Sequence, residues 1–410
     1  MNSIQKSVSA YLLVILICCG CADDTIPPAS MESPVSSADA GTLTPSSDSS
    51  VVESTLTPSS NSSTAECALP QDSDSFDVVT AANAQDYVNQ MGLGWNLGNS
   101  LDCTDCTWLN SDLEYETGWG NPPVTRELIS YIKSQGFTTI RIPVTWDDHL
   151  NENNIINEAW MNRVQEVVDW CMEEDFFVIL NIHHESDWLS NASADYNNVM
   201  LKYCTIWSQI ANRFGSYNEK LIFESMNEIG FDNLNCEDGC VLISQINSEF
   251  TKLIRSSGQN NDKRYLLLAG YYTDIDSTCH EAFTLPEDDR IILSVHYYTP
   301  SDFAIADSSS GWGYRNNWGT PEDLAYLNTQ FQKLKINFID RGIPVIVGEY
   351  GVIEKDKDPA SRILWFQSVC QTALNYHCCP IIWDNGEIID RNNLIWKTPE
   401  LKNVLFESTK

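Results

Sequence analysis

Two glutamates sit where paired acids could break a glycosidic bond. Glu228 follows Asn227 at the end of an apolar run, Leu221 to Met226. Glu349 closes a second run, Ile343 to Gly348. Glycoside hydrolysis needs two carboxyls across one bond. One protonates the leaving oxygen, and the other attacks the anomeric carbon or activates water. Isolated acids at strand or helix ends usually cap helices or face solvent, so the neighbours decide the reading.

The residues around each glutamate suit that chemistry. Glu228 must carry a proton near neutral pH, and a partly desolvated pocket with a second carboxylate nearby would supply it. Glu349 must stay ionised, and Arg141 offers the positive charge that lowers a carboxyl pKa. Tyr298 is placed to hydrogen-bond the same carboxylate. Asn227 can bond a sugar 2-hydroxyl, a contact that strengthens in the transition state. His183, His184 and His296 can bond hydroxyls or orient the acid, and Asn99 ends another run beside them. Trp383 offers a flat apolar face for a pyranose ring. Trp119, Trp312 and Trp318 fall in loops and are candidates for further sugar subsites, with plain loop packing as the competing explanation.

These residues need a scaffold that brings distant strand ends together. From about residue 80, eight strand-like runs alternate with helical patterns. The runs are 91–97, 139–144, 177–182, 221–225, 265–269, 291–295, 344–347 and 380–383. Helical periodicity covers 125–134, 158–173, 199–214, 241–256, 321–340 and 360–376. Strand and helix alternating eight times over roughly 330 residues predicts a closed α/β (β/α)8 barrel. Such barrels carry their chemistry at the C-terminal ends of the strands. Seven of the eight runs end in a candidate site residue, and the fifth, 265–269, does not. An open doubly wound sheet is the rival, but no glycine-rich phosphate loop follows the first run.

Taken together, Gly94-Trp95-Asn96-Leu97-Gly98-Asn99, Arg141-Ile142-Pro143-Val144-Thr145-Trp146, Asn181-Ile182-His183-His184, Met226-Asn227-Glu228, His296-Tyr297-Tyr298, Gly348-Glu349-Tyr350-Gly351 and Trp383-Asp384-Asn385-Gly386 resemble glycoside hydrolase family 5. The likeness is strongest to its bacterial endo-β-1,4-glucanase branch and covers about residues 80–405. The resemblance implies a TIM barrel and a retaining double displacement with no cofactor and no metal. It implies Glu228 as acid/base and Glu349 as nucleophile. Arg141, His183, Asn227, His296, Tyr298 and Trp383 fall on the family's remaining site positions, and Asn99 and His184 on sugar contacts. Segment 102–107 and the insertion near 232–240 depart from the family pattern. The implied substrate is a β-1,4-linked polysaccharide, with cellulose, mixed-linkage glucan, xyloglucan and mannan left open. The rival functions are a metal-dependent hydrolase on the same barrel and a non-catalytic glycan-binding barrel. Consecutive His183 and His184 disfavour the first, because successive strand side chains point apart.

Composition agrees with a polymer substrate outside the cell. The formal net charge of -33 excludes nucleic acid and anionic lipid as natural partners. With 13 Trp, 16 Tyr and 14 Phe, the chain can fill a core and still line a groove. Residues 1–21 read as an export signal, with Lys6 before the apolar run Tyr11 to Cys19. Gly20-Cys21 fits a lipoprotein cleavage point with Cys21 lipidated, and cleavage after Ala22 is the alternative. Residues 22–75 are a Ser/Thr/Pro/Asp-rich tether that repeats Thr-Leu-Thr-Pro-Ser-Ser. The catalytic domain is expected over 76–410, as a monomer, extracellular and joined to a membrane only through a lipid anchor. Cys103/Cys106 and Cys236/Cys240 are close enough for small disulfide loops, and Cys378-Cys379 read as buried thiols. The four spaced cysteines do not match a zinc ribbon.

Overall fold

The computed structural model describes residues 83–408, so the export signal and the whole of the tether lie outside the described residues. Eight parallel strands close into a barrel in sequence order. They are β1 (Gly94–Leu97), β2 (Thr139–Ile142), β3 (Phe177–Asn181), β4 (Leu221–Glu224), β5 (Leu266–Ala269), β6 (Ile291–Tyr297), β7 (Val345–Tyr350) and β8 (Cys379–Asp384). The α-helices longer than one turn are α1 (Ala84–Met91), α2 (Arg126–Gln135), α3 (Glu158–Glu173), α4 (Tyr196–Arg213), α5 (Cys236–Ser256), α6 (Pro321–Asn337), α7 (Pro359–Asn375) and α8 (Pro399–Glu407). All eight predicted strands form, and each predicted helix forms within a few residues. The repeat weakens once. The β5–β6 connection carries only a one-turn helix, Ile275–Thr278, in a stretch where the sequence showed no helical periodicity.

Local chemistry explains the helix boundaries. Asn157 caps α3 through its side chain, and Asp358 caps α7 ahead of Pro359. Thr320 and Asp323 form a reciprocal capping box at α6 with Pro321 in the first turn. Gly136 ends α2 at φ 107°, a conformation a β-carbon resists.

Alternation along each strand divides the core. Outward residues such as Trp95, Ile140, Leu180 and Phe223 pack under the helical ring. Inward residues Ile179, Ile222, Leu267, Ile292, Ile346 and Ile381 fill the lower barrel with Tyr87, Val88 and Met91 of α1. Tyr87 stacks on Tyr265 at 3.8 Å, so α1 plugs the N-terminal mouth. The next inward layer is polar: Asn96, Arg141, Asn181, Glu224 and Ser294, all buried. The polar side chains inside the barrel thus gather at one end, where loops 98–125, 182–195, 225–235, 298–320 and 351–358 lie.

One irregularity aims a key side chain. The β6–β7 register runs Val295↔Val347 and then His296↔Glu349, so Gly348 is an extra residue on β7. A β-carbon on Gly348 would lie 2.6 Å from Ser294 Oγ and 3.2 Å from His296 Nε2. Only glycine lets the strand bulge here and turn Glu349 into the barrel mouth.

Neither expected disulfide is present. Cys103, Cys106, Cys236 and Cys240 are all free. Cys236 and Cys240 face each other across the first turn of α5 with sulfurs 3.9 Å apart, about twice a bonded distance. Cys240 instead donates to the Ser277 carbonyl at 3.3 Å. Cys378 and Cys379 are buried thiols, as read from the sequence. Among the described residues, no helix is long and apolar enough to cross a membrane.

Candidate active site

Arg141, fully buried on β2, organises the barrel mouth. Its Nε donates to Glu224 at 2.6 Å, and Nη1 donates to Glu349 at 2.7 Å and to Asn96 at 3.0 Å. Its Nη2 donates to Asn227 Oδ1 at 2.9 Å. Strands β1, β4 and β7 and the loop after β4 are therefore tied to one guanidinium on β2. A buried cation requires such partners, because an uncompensated one is very costly. Glu224 also accepts from Ser294 Oγ at 3.1 Å, which completes its shell.

Glu349 is 5% exposed and Glu228 partly buried, and they face each other. An oxygen of each, together with a His296 ring nitrogen, lies within 4.8 Å of the others. Their surroundings differ. Glu349 receives Arg141 on one oxygen and the Tyr298 hydroxyl on the other at 2.9 Å. Glu228 shares a single hydrogen bond with His296 Nδ1 at 2.7 Å. Burial pushes the Glu228 carboxyl up to about 7, against a smaller opposing pull from Arg141. Burial raises Glu349 as well, opposed by His296, Arg141 and the Tyr298 hydroxyl. Arg141 thus pulls Glu349 down as expected, but desolvation outweighs it. The second carboxylate acts on Glu349 and not, as expected, on Glu228. Desolvation lowers His296 to about 4, so its ring is neutral at pH 7.

The flanking residues form an aromatic path. The Trp383 indole lies parallel to His183, centroids 5.7 Å apart and planes 7° apart. His183 meets His184 edge-on at 4.5 Å, and His184 meets Trp119 at 5.4 Å. Gly98 lies under the Trp383 ring, where a β-carbon would come within 2.7 Å of the indole. Asn99 stands at the end of β1 with φ 55°, its carbonyl accepting from Asn121. Arg141, His183, Asn227, Glu228, His296, Tyr298, Glu349 and Trp383 thus converge, with Asn99, His184 and Trp119 on the rim. Trp312 is exposed in the loop after β6. Trp318 corrects the expectation of a subsite. It is 5% exposed and packs in the main apolar core, so it offers no face to a sugar.

The two histidines also depart from expectation. β3 ends at Asn181, so the strand pleat no longer separates residues 183 and 184. Both rings bring a nitrogen within 4.8 Å of an Asp102 oxygen, a spacing that could hold a metal. Burial lowers the basicity of both rings, and the fixed charge of Arg141 lowers it further and opposes a cation there. Glu224, Asn96, Asp102 and Ser294 were missed from the sequence. Strand alternation was the available signal: Asn96 and Glu224 occupy inward positions, and a buried acid in a strand demands a cationic partner.

Residues 103–387 match the profile of the cellulase family, glycosyl hydrolase family 5. Endoglucanase A of Clostridium longisporum is 36% identical over 347 residues, covering 80% of this chain. The match spans 66% of that relative's length, just under two thirds. Endoglucanase A of Ruminococcus albus is 36% identical over 346 residues, 80% of this chain and 93% of the relative. Among solved structures, a glycoside hydrolase 5 lichenase from Caldicellulosiruptor sp. F32 superimposes with a TM-score of 0.76 at 31% identity, covering 83% of this chain and 99% of that one. A family 5 xyloglucanase from Paenibacillus pabuli superimposes with a TM-score of 0.71 at 33% identity, covering 79% and 100%.

Proposed function

The chain belongs to the cellulase family, glycosyl hydrolase family 5, and on that premise we propose that it is an endo-acting, retaining β-glucanase. The observation that carries this reading is the unequal pair: two facing carboxyls, one bonded on both oxygens by a buried arginine and a tyrosine hydroxyl, the other desolvated and bonded only to a histidine. Glu349 is the nucleophile. Arg141 and Tyr298 fix both its oxygens and leave a lone pair directed into the cleft. Glu228 is the acid. With a carboxyl near 7 it carries a proton at the start of the reaction and delivers it to the glycosidic oxygen as Glu349 bonds the anomeric carbon. The resulting carboxylate then takes a proton from water, and that water releases the sugar from Glu349. His296 exchanges a hydrogen bond with Glu228 in both protonation states without itself charging. The close spacing favours this double displacement, since inversion needs roughly 6.5–9.5 Å to seat a water.

The substrate is a β-1,4-linked glucan: cellulose, mixed-linkage glucan or xyloglucan. Endoglucanase, lichenase and xyloglucanase are the names its relatives carry. Trp383 holds the sugar at the cleavage point, and Trp119, with His184 and Asn99, extends the site along the chain. Trp312 is an outer contact. The enzyme works outside the cell as a monomer, carried on its tether and exported by residues 1–21. A product panel on these polymers, with anomers followed by NMR, tests the reading. Early release of the β-anomer and cleavage at internal bonds are expected. An early α-anomer, or disaccharides released from one end without loss of viscosity, refutes it.

A further inference from the structure

Asp102, in the loop after β1, is a buried carboxyl beside the cleft that the double displacement leaves unused. Its Oδ2 accepts from the Asn99 amide at 3.0 Å, and its Oδ1 from the Ser100 amide at 2.7 Å. Asn99 is thereby held at φ 55° on the cleft rim. The Asp102 carbonyl accepts from Thr145 Oγ1 at 3.0 Å, and that hydroxyl oxygen accepts in turn from the His184 amide at 3.3 Å. The His184 ring brings Nε2 to 4.0 Å from Asp102 Oδ2. One residue therefore ties together the loops after β1, β2 and β3.

The grip on the two amides depends on charge. An ionised carboxyl offers acceptors to both N–H groups at once, whereas a protonated one turns an oxygen into a donor and leaves one amide without its partner. The charged and titratable groups that face Asp102 are Arg391 from the hairpin 389–396, His183 and His184 from the loop after β3, and Cys103 beside it. Arg391 stays charged and steadies the same loop, donating to Ser100 Oγ at 2.7 Å and to the Gly98 carbonyl at 2.8 Å. Burial holds both histidines below their usual range, His184 at about 4, and keeps Cys103 a thiol. Burial lifts Asp102 to about 6, against the pull of the two amides and Arg391. Of these groups, Asp102 is the one that changes charge between pH 5 and 7.5.

We propose that Asp102 is a positioning residue for the polysaccharide, holding Asn99 and His184 in the geometry that grips the sugars beyond the cleavage point. This rests on the reading of those two residues as sugar contacts. Asp102 has no exposed surface, so it acts through them and not on the sugar itself. Contacts of this kind are the same in the ground state and the transition state. Their loss weakens binding and leaves the chemical step alone.

The test is the KM of Asp102→Asn relative to the parent enzyme on a soluble β-1,4-glucan at two pH values. Asparagine keeps the shape but sets a side-chain N–H against one of the two backbone amides. At pH 7.5 the KM should rise about tenfold with kcat within about twofold, the size expected of one lost charge-assisted hydrogen bond. At pH 5 the parent's own carboxyl is mostly protonated, so the two KM values should agree within about twofold. Titration of Glu228 and Glu349 is common to both proteins and cancels in the ratio. Thr145→Val removes the hydroxyl between Asp102 and His184 and tests the same link should Asp102→Asn not fold. Its KM should rise about threefold at both pH values, because the carboxyl still titrates. A KM ratio for Asp102→Asn that is the same at both pH values overturns the proposal, since the residue then only supports the fold. An unchanged KM in either variant overturns it too, as does a kcat that falls while KM rises. A parent enzyme that does not hydrolyse the glucan would sink the hydrolase reading itself, a distinct result.

Discussion

Replacing Glu228 by glutamine should make the protein more stable, and by an amount that depends on pH. Burial lifts the folded carboxyl from 4.5 to about 7, and its side chain is 19% exposed, so solvent screens it little. Below pH 4.5 the carboxyl is protonated in both states and the burial carries no ionisation cost. Stability is lost as pH rises through the interval from 4.5 to about 7, where the unfolded chain ionises first. Above 7 the loss is complete. A shift of some 2.5 units corresponds to about 3 kcal/mol at 1.36 kcal/mol per unit. At pH 5 only about 1 kcal/mol of it has developed. Glutamine has the same shape, can still bond His296, and never ionises. Glu228→Gln should therefore gain about 2 kcal/mol more over the parent enzyme at pH 9 than at pH 5. For a domain of this size that is a further rise in Tm of roughly 2–5 °C. Calorimetry at the two pH values, with parent and variant side by side, measures it. A Tm difference that does not change with pH would show that Glu228 pays no desolvation cost, and the assignment of the proton at neutral pH would fall with it. The same variant should lose at least about a hundredfold in kcat on polymer, the usual contribution of a general acid.

Three further outcomes follow from the geometry. Glu349→Gln should abolish polymer turnover while leaving the melting transition in place, because Arg141 keeps Glu224 as its buried counter-ion at 2.6 Å; substantial residual activity would contradict the nucleophile assignment. Gly348→Ala should cost roughly 1–3 kcal/mol and most of the activity, since its β-carbon meets Ser294 Oγ at 2.6 Å and flattens the bulge that aims Glu349; a stable, active variant in chemical denaturation and kinetic assays would refute that role. Gly98→Ala should displace the Trp383 indole, seen as a change in tryptophan fluorescence and a raised KM with little change in Tm, whereas an unchanged KM would show that the ring does not hold substrate.

What the sequence determined was local. Short continuous apolar runs such as Leu221-Ile222-Phe223 identify strands buried on both faces, and eight of them separated by amphipathic stretches leave few ways to cover those faces. A polar residue just past such a run can then be placed at the barrel mouth, which is how Arg141, His183, Glu228, His296, Glu349 and Trp383 were legible as one group. The tertiary structure decided whatever depends on partners distant in the chain. Glu224 reads as one more strand residue until Arg141, 83 positions away, is seen to need it. Trp318 and Trp119 are equivalent as loop tryptophans, and only packing buries the first in the core and sets the second against His184. Cys236 and Cys240 have a spacing that permits a bond, but the turn of α5 holds their sulfurs 3.9 Å apart. The inward turn of Glu349 comes from a one-residue bulge that no pattern in β7 announces, because a bulge is defined by register against β6 and β8. Burial, finally, is a property of the assembled mouth. It raises Glu228 to about 7 by removing water from every side at once, and no neighbour in the sequence encodes that removal.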